Sequence, residues 1–180
     1  TLKKGAKKKD FNQHPVLERF KTQLDNSNIK TKYSLKPDFS WACINIDQIV
    51  NKFFGNKFIL IFPFSSPQLS HKQWPYYNEL IKIIKSAHNN LEIVIAPGEN
   101  EMEDAKNVNA TLITNNKKVL NIMELAGLIK KSSFVVANDT GPAHMTAHLG
   151  KSGLVLFGHH TTPQKVSIET DKFKALTVSN

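Results

Sequence analysis

Phe134-Val135-Val136-Ala137-Asn138-Asp139-Thr140-Gly141-Pro142-Ala143-His144 decides the fold, because a short apolar run passes into a helix through a turn holding a carboxylate, a hydroxyl, a glycine and an imidazole. Residues 134–137 have the β-type composition of a buried strand, and Ala143, Met145, Ala147 and Leu149 favour a helix that stops at Gly150. The motif therefore sits where a strand hands over to a helix. Thr140 is expected to cap that helix through its hydroxyl, and Pro142 is tolerated in a first turn whose N–H groups are unpaired anyway. Free N–H groups and the positive end of the helix dipole then face outward, which suits an anion and predicts a polar, phosphorylated ligand.

Working outward, the same alternation recurs. Phe58-Ile59-Leu60-Ile61-Phe62 is a continuous apolar run of the kind buried on both faces of a sheet. Tyr77, Leu80, Ile81, Ile84 and His88 follow at helical spacing, and 91–96 is a second apolar strand. A helix over 101–108, a strand over 111–113, and a helix with Ile122, Leu125, Ala126 and Ile129 on one face come next, and the strand over 154–157 closes the series. Five strands alternating with helices predict an α/β fold: a doubly wound parallel sheet, Rossmann-like, over residues 57–180. Residues 1–56 read as a basic arm with short helices at 14–24 and 46–54, broken at Asp25-Asn26-Ser27-Asn28 and extended at Lys36-Pro37-Asp38.

Charge and composition narrow the classes. The net charge of +9 is concentrated at the start: residues 1–36 hold ten Lys or Arg against three acids, and the rest hold fourteen against twelve. Such an arm, with Lys7-Lys8-Lys9 at its head, either attracts phosphate, on nucleic acid or on an anionic membrane surface, or is a solvated face. The lysine run lacks the interleaved aromatics of single-strand binders. No apolar run approaches the ~18 residues that span a bilayer, and the lysine-rich start has no signal-peptide core, so a cytoplasmic location is expected. Cys43 is the single cysteine, which excludes an internal disulfide and a cysteine-based zinc cluster. A first residue other than Met suggests a chain cut from something longer.

In doubly wound sheets, ligands bind outside the carboxyl ends of the strands. The polar clusters fall at that rim. Ser65 and Ser66, with Lys72 ahead of Trp74-Pro75, offer two hydroxyls and an ammonium to a diphosphate, or else make ordinary turn bonds. Glu101, after Ala96-Pro97-Gly98, is placed either to accept from ribose or to favour a helix start. Asp139 repels phosphate and is suited to sugar hydroxyls, while Thr140, Gly141 and the backbone N–H of His144 face the phosphates. His144-x-x-x-His148 lacks the Glu of the zinc-protease motif, so no metal is expected there. His159-His160, after Phe157-Gly158, read as metal ligands, as catalytic bases or as a loop tip.

Together the Ser-Ser loop before Lys72-x-Trp74-Pro75, Ala96-Pro97-Gly98, Met123-Glu124-Leu125-Ala126, Asp139-Thr140-Gly141-Pro142-x-His144 and Leu156-Phe157-Gly158-x-x-Thr161-x-Pro163 resemble glycosyltransferase family 9, the ADP-heptose:lipopolysaccharide heptosyltransferases. The resemblance implies a two-domain GT-B enzyme, of which residues 57–180 are the C-terminal, nucleotide-sugar-binding domain and 1–56 an interdomain linker. It implies that Ser65, Ser66 and Lys72 contact the diphosphate, that Asp139, Thr140, Gly141 and His144 hold phosphates and sugar, and that Glu101 lies near the nucleoside. It also implies a nucleotide diphosphate sugar donor, ADP-heptose, a lipopolysaccharide core acceptor, no cofactor and no nucleic acid. The general base is expected in an N-terminal domain outside this chain, so no catalytic residue is assigned. Peripheral contact with the inner face of the inner membrane is expected from the basic arm. Two serines where threonines are common, and His159-His160 in place of Gly-Pro-Thr, depart from the family pattern. The alternative reading is a non-enzymatic nucleotide or nucleic-acid binding domain using the basic arm.

Overall fold

The computed structural model describes residues 14–55 and 57–177; the Lys7-Lys8-Lys9 run lies outside them. Six strands, β1 Phe58–Phe62, β2 Glu92–Ile95, β3 Thr111–Leu112, β4 Phe134–Asn138, β5 Gly153–Phe157 and β6 Phe173–Thr177, form one sheet in the order β3-β2-β1-β4-β5-β6. Every pairing is parallel. Parallel neighbours need crossovers, and the longer ones are supplied by α3 Tyr77–Ala87, α4 Ile122–Lys131 and α5 Gly141–His148. Before the sheet come α1 Val16–Asn26 and α2 Asp47–Val50, and α6 Pro163–Val166 follows β5.

Side chains leave the strands alternately, and both faces are apolar. Phe58, Leu60 and Phe62 of β1 pack with Ala126, Ile129, Ala143 and Ala147 of α4 and α5. Ile61, with Ile93, Ile95 and Val136, packs on the other face against Tyr77 and Ile81 of α3. This two-sided burial is why the strands read as unbroken apolar runs.

The structure differs from the sequence reading in three places. A sixth strand, β6, continues the sheet; its residues are mostly exposed, as befits an edge strand, and so carry little apolar signal. The helix expected over 101–108 is instead two 3₁₀ turns, Glu99–Glu101 and Asp104–Asn107. Met102, Ala105 and Val108 repeat every three residues, the spacing at which side chains eclipse in a 3₁₀ helix. Finally, residues 39–54 pack closely on the sheet layer: Ala42, Ile46 and Val50 are buried in the same core as Phe58 and Leu60. Phe39 N donates to His148 O at 3.2 Å, and a Cβ on Gly127 of α4 would stand 2.3 Å from the carbonyl oxygen of Ile44. Only glycine lets that backbone approach so closely.

α4 begins with a reciprocal cap. Asn121 Oδ1 accepts from Met123 N at 2.9 Å and Glu124 N at 3.0 Å, and Glu124 Oε2 accepts from Asn121 N at 2.8 Å. Glu124 Oε1 also accepts from Asn115 Nδ2 at 2.6 Å, tying the loop after β3 to the helix. Glu124 thus fastens an element boundary.

Candidate functional site

The strand order reverses between β1 and β4, which are neighbours in space although the chain runs outward from one through β2 and β3 before returning to the other. Their carboxyl ends leave a crevice at this switch point, where doubly wound folds take their ligands. Asn138, fully buried at the end of β4, fixes the two walls. Its Nδ2 donates to Pro63 O at 2.8 Å, and its Oδ1 accepts from Tyr77 Oη at 3.1 Å and from Trp74 N at 3.2 Å. One side chain therefore ties β4 to the loop after β1 and to the start of α3. Asn138 is legible in the sequence only as part of the motif, because three partners so distant in the chain leave no local signal.

Two clefts adjoin at this rim. The first, of about 300 Å³, is lined by Phe62, Pro97, Glu101, Leu120, Leu125 and Pro142 among others. The second, of about 330 Å³, holds the charged groups Lys72, Asp139 and His144. Ser65, Ser66, Thr140 and Gly141 line both. The eight residues that the resemblance assigns to the donor site thus line two adjoining clefts, Glu101 in the first, Lys72, Asp139 and His144 in the second, and the other four between them.

Their local bonding qualifies the roles expected of them. Ser65 is buried and its hydroxyl donates to Leu69 O at 2.8 Å, whereas Ser66 is exposed. Glu101 Oε2 accepts from Gly98 N at 2.8 Å, closing the turn after β2 while the residue still lines the apolar cleft. Thr140 occupies the N-cap position of α5 in extended conformation, yet its hydroxyl makes no cap: Oγ1 donates to Asn138 O at 3.3 Å, back toward the strand. The backbone N–H of His144 donates to Thr140 O at 3.3 Å and so belongs to the helix rather than to a ligand. Gly141 opens α5 with nothing within 4 Å of where a Cβ would stand, so its lack of a side chain leaves room in the groove.

The charged end is organised around Asp139, whose side chain is 3% exposed. Lys72 Nζ lies 2.6 Å from its Oδ2 and also donates to the Asp139 carbonyl oxygen at 3.3 Å. His160 Nε2 stands 3.2 Å from the same Oδ2, and His144 Nε2 3.6 Å from Oδ1. Burial pushes the Asp139 carboxyl up, but the facing His144, Lys72 and His160 together outweigh it and hold the group well below the usual carboxylate range. His160 belongs to the loop after β5 and is no loop tip: its ring stacks on Phe157, with centroids 5.8 Å apart and planes at 14°. His144 and His148 face each other one helical turn apart, with ring centroids at 6.3 Å.

A doubly wound parallel sheet has its ligand crevice at such a switch point. The sequence model of glycosyltransferase family 9 (heptosyltransferase) matches residues 3–178, and the chain belongs to this family. It is 29% identical over 119 residues to the lipopolysaccharide core heptosyltransferase OpsX of Haemophilus influenzae, an alignment covering 63% of this chain and 33% of OpsX. Among solved structures, E. coli heptosyltransferase WaaC with ADP superposes with a TM-score of 0.62 at 18% identity, over 90% of this chain and 50% of WaaC. A family 9 glycosyltransferase from Veillonella parvula superposes with a TM-score of 0.66 at 13% identity, over 98% of this chain and 51% of its own. The fold is one Rossmann-like half of the GT-B type. The chain thus spans a third to about half the length of these relatives.

Proposed function

We propose that this chain is the C-terminal, donor-binding half of a heptosyltransferase-type glycosyltransferase, and that its groove holds a nucleotide diphosphate sugar, with ADP-heptose as donor and a lipopolysaccharide core as acceptor. The observation that carries this reading is that the two clefts adjoin and share Ser65, Ser66, Thr140 and Gly141. A cleft with the apolar Leu120, Leu125 and Pro97 in its lining suits a base, Glu101 in the same cleft suits a ribose, and Ser66, Thr140 and Gly141 are shared with the cleft that holds Lys72 and Asp139. Residues 57–177 build the groove, and residues 1–56 serve as the linker toward the acceptor-binding half.

In the reaction an acceptor hydroxyl displaces the nucleoside diphosphate from the anomeric carbon with inversion. Charge then grows on the departing phosphate, and groups that stabilise it there lower the barrier. Lys72 and the amino-terminal end of α5 at Thr140 and Gly141 supply positive charge on that side, and Asp139 accepts from sugar hydroxyls. The reading assigns no residue of this chain as general base. Among the described residues no helix is long and apolar enough to cross a membrane. We place the protein in the cytoplasm, with the basic leading arm against the anionic inner face of the membrane.

Calorimetric titration of the chain with ADP and ADP-heptose tests the reading. Binding is expected, and Gly141→Val is expected to weaken it at least about tenfold, a loss of roughly 1.4 kcal/mol, because its side chain fills groove space. The circular dichroism spectrum and melting temperature should stay close to the parent's. A folded parent chain that gives no heat with any nucleotide sugar refutes the donor site, and a Gly141→Val chain that binds like the parent moves the ligand away from α5.

A further inference from the structure

The loop between β1 and α3 carries Ser65, Ser66 and Lys72, and one buried side chain holds both of its ends. Asn138 Nδ2 donates to Pro63 O at 2.8 Å where the loop leaves β1, and Asn138 Oδ1 accepts from Trp74 N at 3.2 Å just before α3. Between these ties the span is folded on itself: Ser65 Oγ donates to Leu69 O at 2.8 Å, and Gln73 Nε2 to Ser65 O at 3.5 Å. All of residues 66–76 except Lys72 are exposed, so core packing contributes little to their placement. A buried, well-bonded amide selects one arrangement where packing does not.

The same amide anchors both members of the ion pair. Asp139 follows Asn138 directly, and Lys72 lies two residues before the tie at Trp74. The Asn138 carbonyl oxygen also accepts from Thr140 Oγ1 at 3.3 Å, which turns that hydroxyl at the head of α5. Lys72 has a long, flexible stem, so the position of its backbone and its partners decide where the ammonium points. Asp139 takes two of its three N–H groups, at Oδ2 (2.6 Å) and at the carbonyl oxygen (3.3 Å), and leaves the third for a ligand. Lys72 belongs to the second cleft, whereas Leu120, Leu125 and Glu101 belong to the first. A nucleoside diphosphate laid across both, with its base in the first, therefore brings its distal phosphate to Lys72.

We propose that Asn138 is a positioning residue: it pins both ends of the loop over 64–73 beside Asp139, aims the third N–H of Lys72 at the distal phosphate, and so sets how strongly the groove prefers a nucleoside diphosphate to a monophosphate. The proposal rests on the donor reading above and adds the origin of that preference. Asn138 lines neither cleft and acts through Lys72, because a misplacement of about an ångström is enough to spoil a directed contact. Its third partner, Tyr77 Oη at 3.1 Å, bonds it from the buried face of α3 and holds neither end of the loop.

Calorimetric titration of the chain with ADP and with AMP measures the preference. The parent is expected to bind ADP at least about tenfold more tightly, the worth of one hydrogen bond to a charged group. Asn138→Leu, close to asparagine in size, is expected to lose most of that preference by weakening ADP, while AMP affinity stays within about twofold. Lys72→Ala should lose it too, and the double variant should lose little more than either single one, because the two residues act as a unit. Tyr77→Phe removes the core bond alone and should keep the preference whatever it costs in stability. Where Asn138→Leu does not fold, Asn138→Ser, too short to hold both ends, takes its place. Amide exchange of the parent needs no variant: the Trp74 N–H should exchange more slowly than the exposed N–H groups of the loop. A Trp74 amide that exchanges as freely as its neighbours, equal losses of ADP and AMP in the Asn138 variants, or losses that multiply with Lys72→Ala overturn the proposal and leave the donor site standing. A parent that binds ADP and AMP alike does the same. A folded parent that binds neither nucleotide removes the donor reading and this proposal together.

Discussion

Lys72 and Asp139 are 67 positions apart in the chain and meet in the groove, so each acts on folding as well as on binding. Read from sequence, Lys72 is a loop lysine that offers its ammonium to a diphosphate or makes ordinary turn bonds. The pairing changes that expectation. Lys72→Ala leaves the carboxylate with only imidazole partners, and stability should fall by about 1 to 3 kcal/mol, less than for a sealed ion pair because His144 and His160 remain and solvent reaches the lysine. Adding Asp139→Asn should restore most of the stability without restoring ADP affinity. Denaturant unfolding of the single and double variants, alongside ADP titration, checks both halves; a Lys72→Ala chain with unchanged stability contradicts the pairing. That the eight candidate residues come together was legible because a parallel sheet gathers the ends of its strands at one rim. Which of them touch was not, since Lys72, Asp139 and His160 come from three separate loops. Thr140 shows the same limit, because its cap position was readable and the direction of its hydroxyl was not.

At the scale of elements, the central strands and the helices α3 and α4 were legible because each carries an apolar pattern with one period, whereas α5 was legible from its helix-favouring residues between Pro142 and Gly150 and not from periodicity. β6 and the 3₁₀ turns after β2 were not: an edge strand is half solvated, and a run with apolar residues three apart satisfies a helical template nearly as well as a 3₁₀ one. The contact of 39–54 with α4 left a trace only in Gly127, a glycine inside a helix. Gly127→Ala should raise helix propensity yet destabilise the protein, because the new methyl meets the Ile44 carbonyl. Overpacking of this kind costs about 1 to 3 kcal/mol, against a propensity gain of up to about 1 kcal/mol. Urea unfolding gives the sign directly, and a stabilised Gly127→Ala chain would show that segment 39–54 moves aside at little cost.

For the whole molecule, acidity should act in two steps. Burial, followed by the charge of His144, lowers the tendency of His148 to protonate in the folded chain. A base so lowered binds fewer protons folded than unfolded, so its contribution to stability is complete above about 6.5 and is lost as pH falls through that value toward the lower folded one. Asp139 adds a second step: its contribution is complete above about 3.9 and disappears only as the pH drops further, toward its depressed folded value. Unfolding midpoints measured against pH should show the first decline in the parent, and His148→Gln should remove it; a parent without that decline would mean the imidazole is solvated. The strand order has a separate consequence for how the chain is made. β1 is one of the two central strands and five apolar residues long, but its second neighbour, β4, is synthesised about seventy residues later. Until then the nascent chain carries Phe58–Phe62 as an open edge guarded only at its two ends, by Lys57 and Pro63, and such an apolar segment can recruit other chains. Truncation or ribosome stalling between β3 and β4 is therefore the point in its production at which this protein is most exposed to aggregation and most in need of a chaperone.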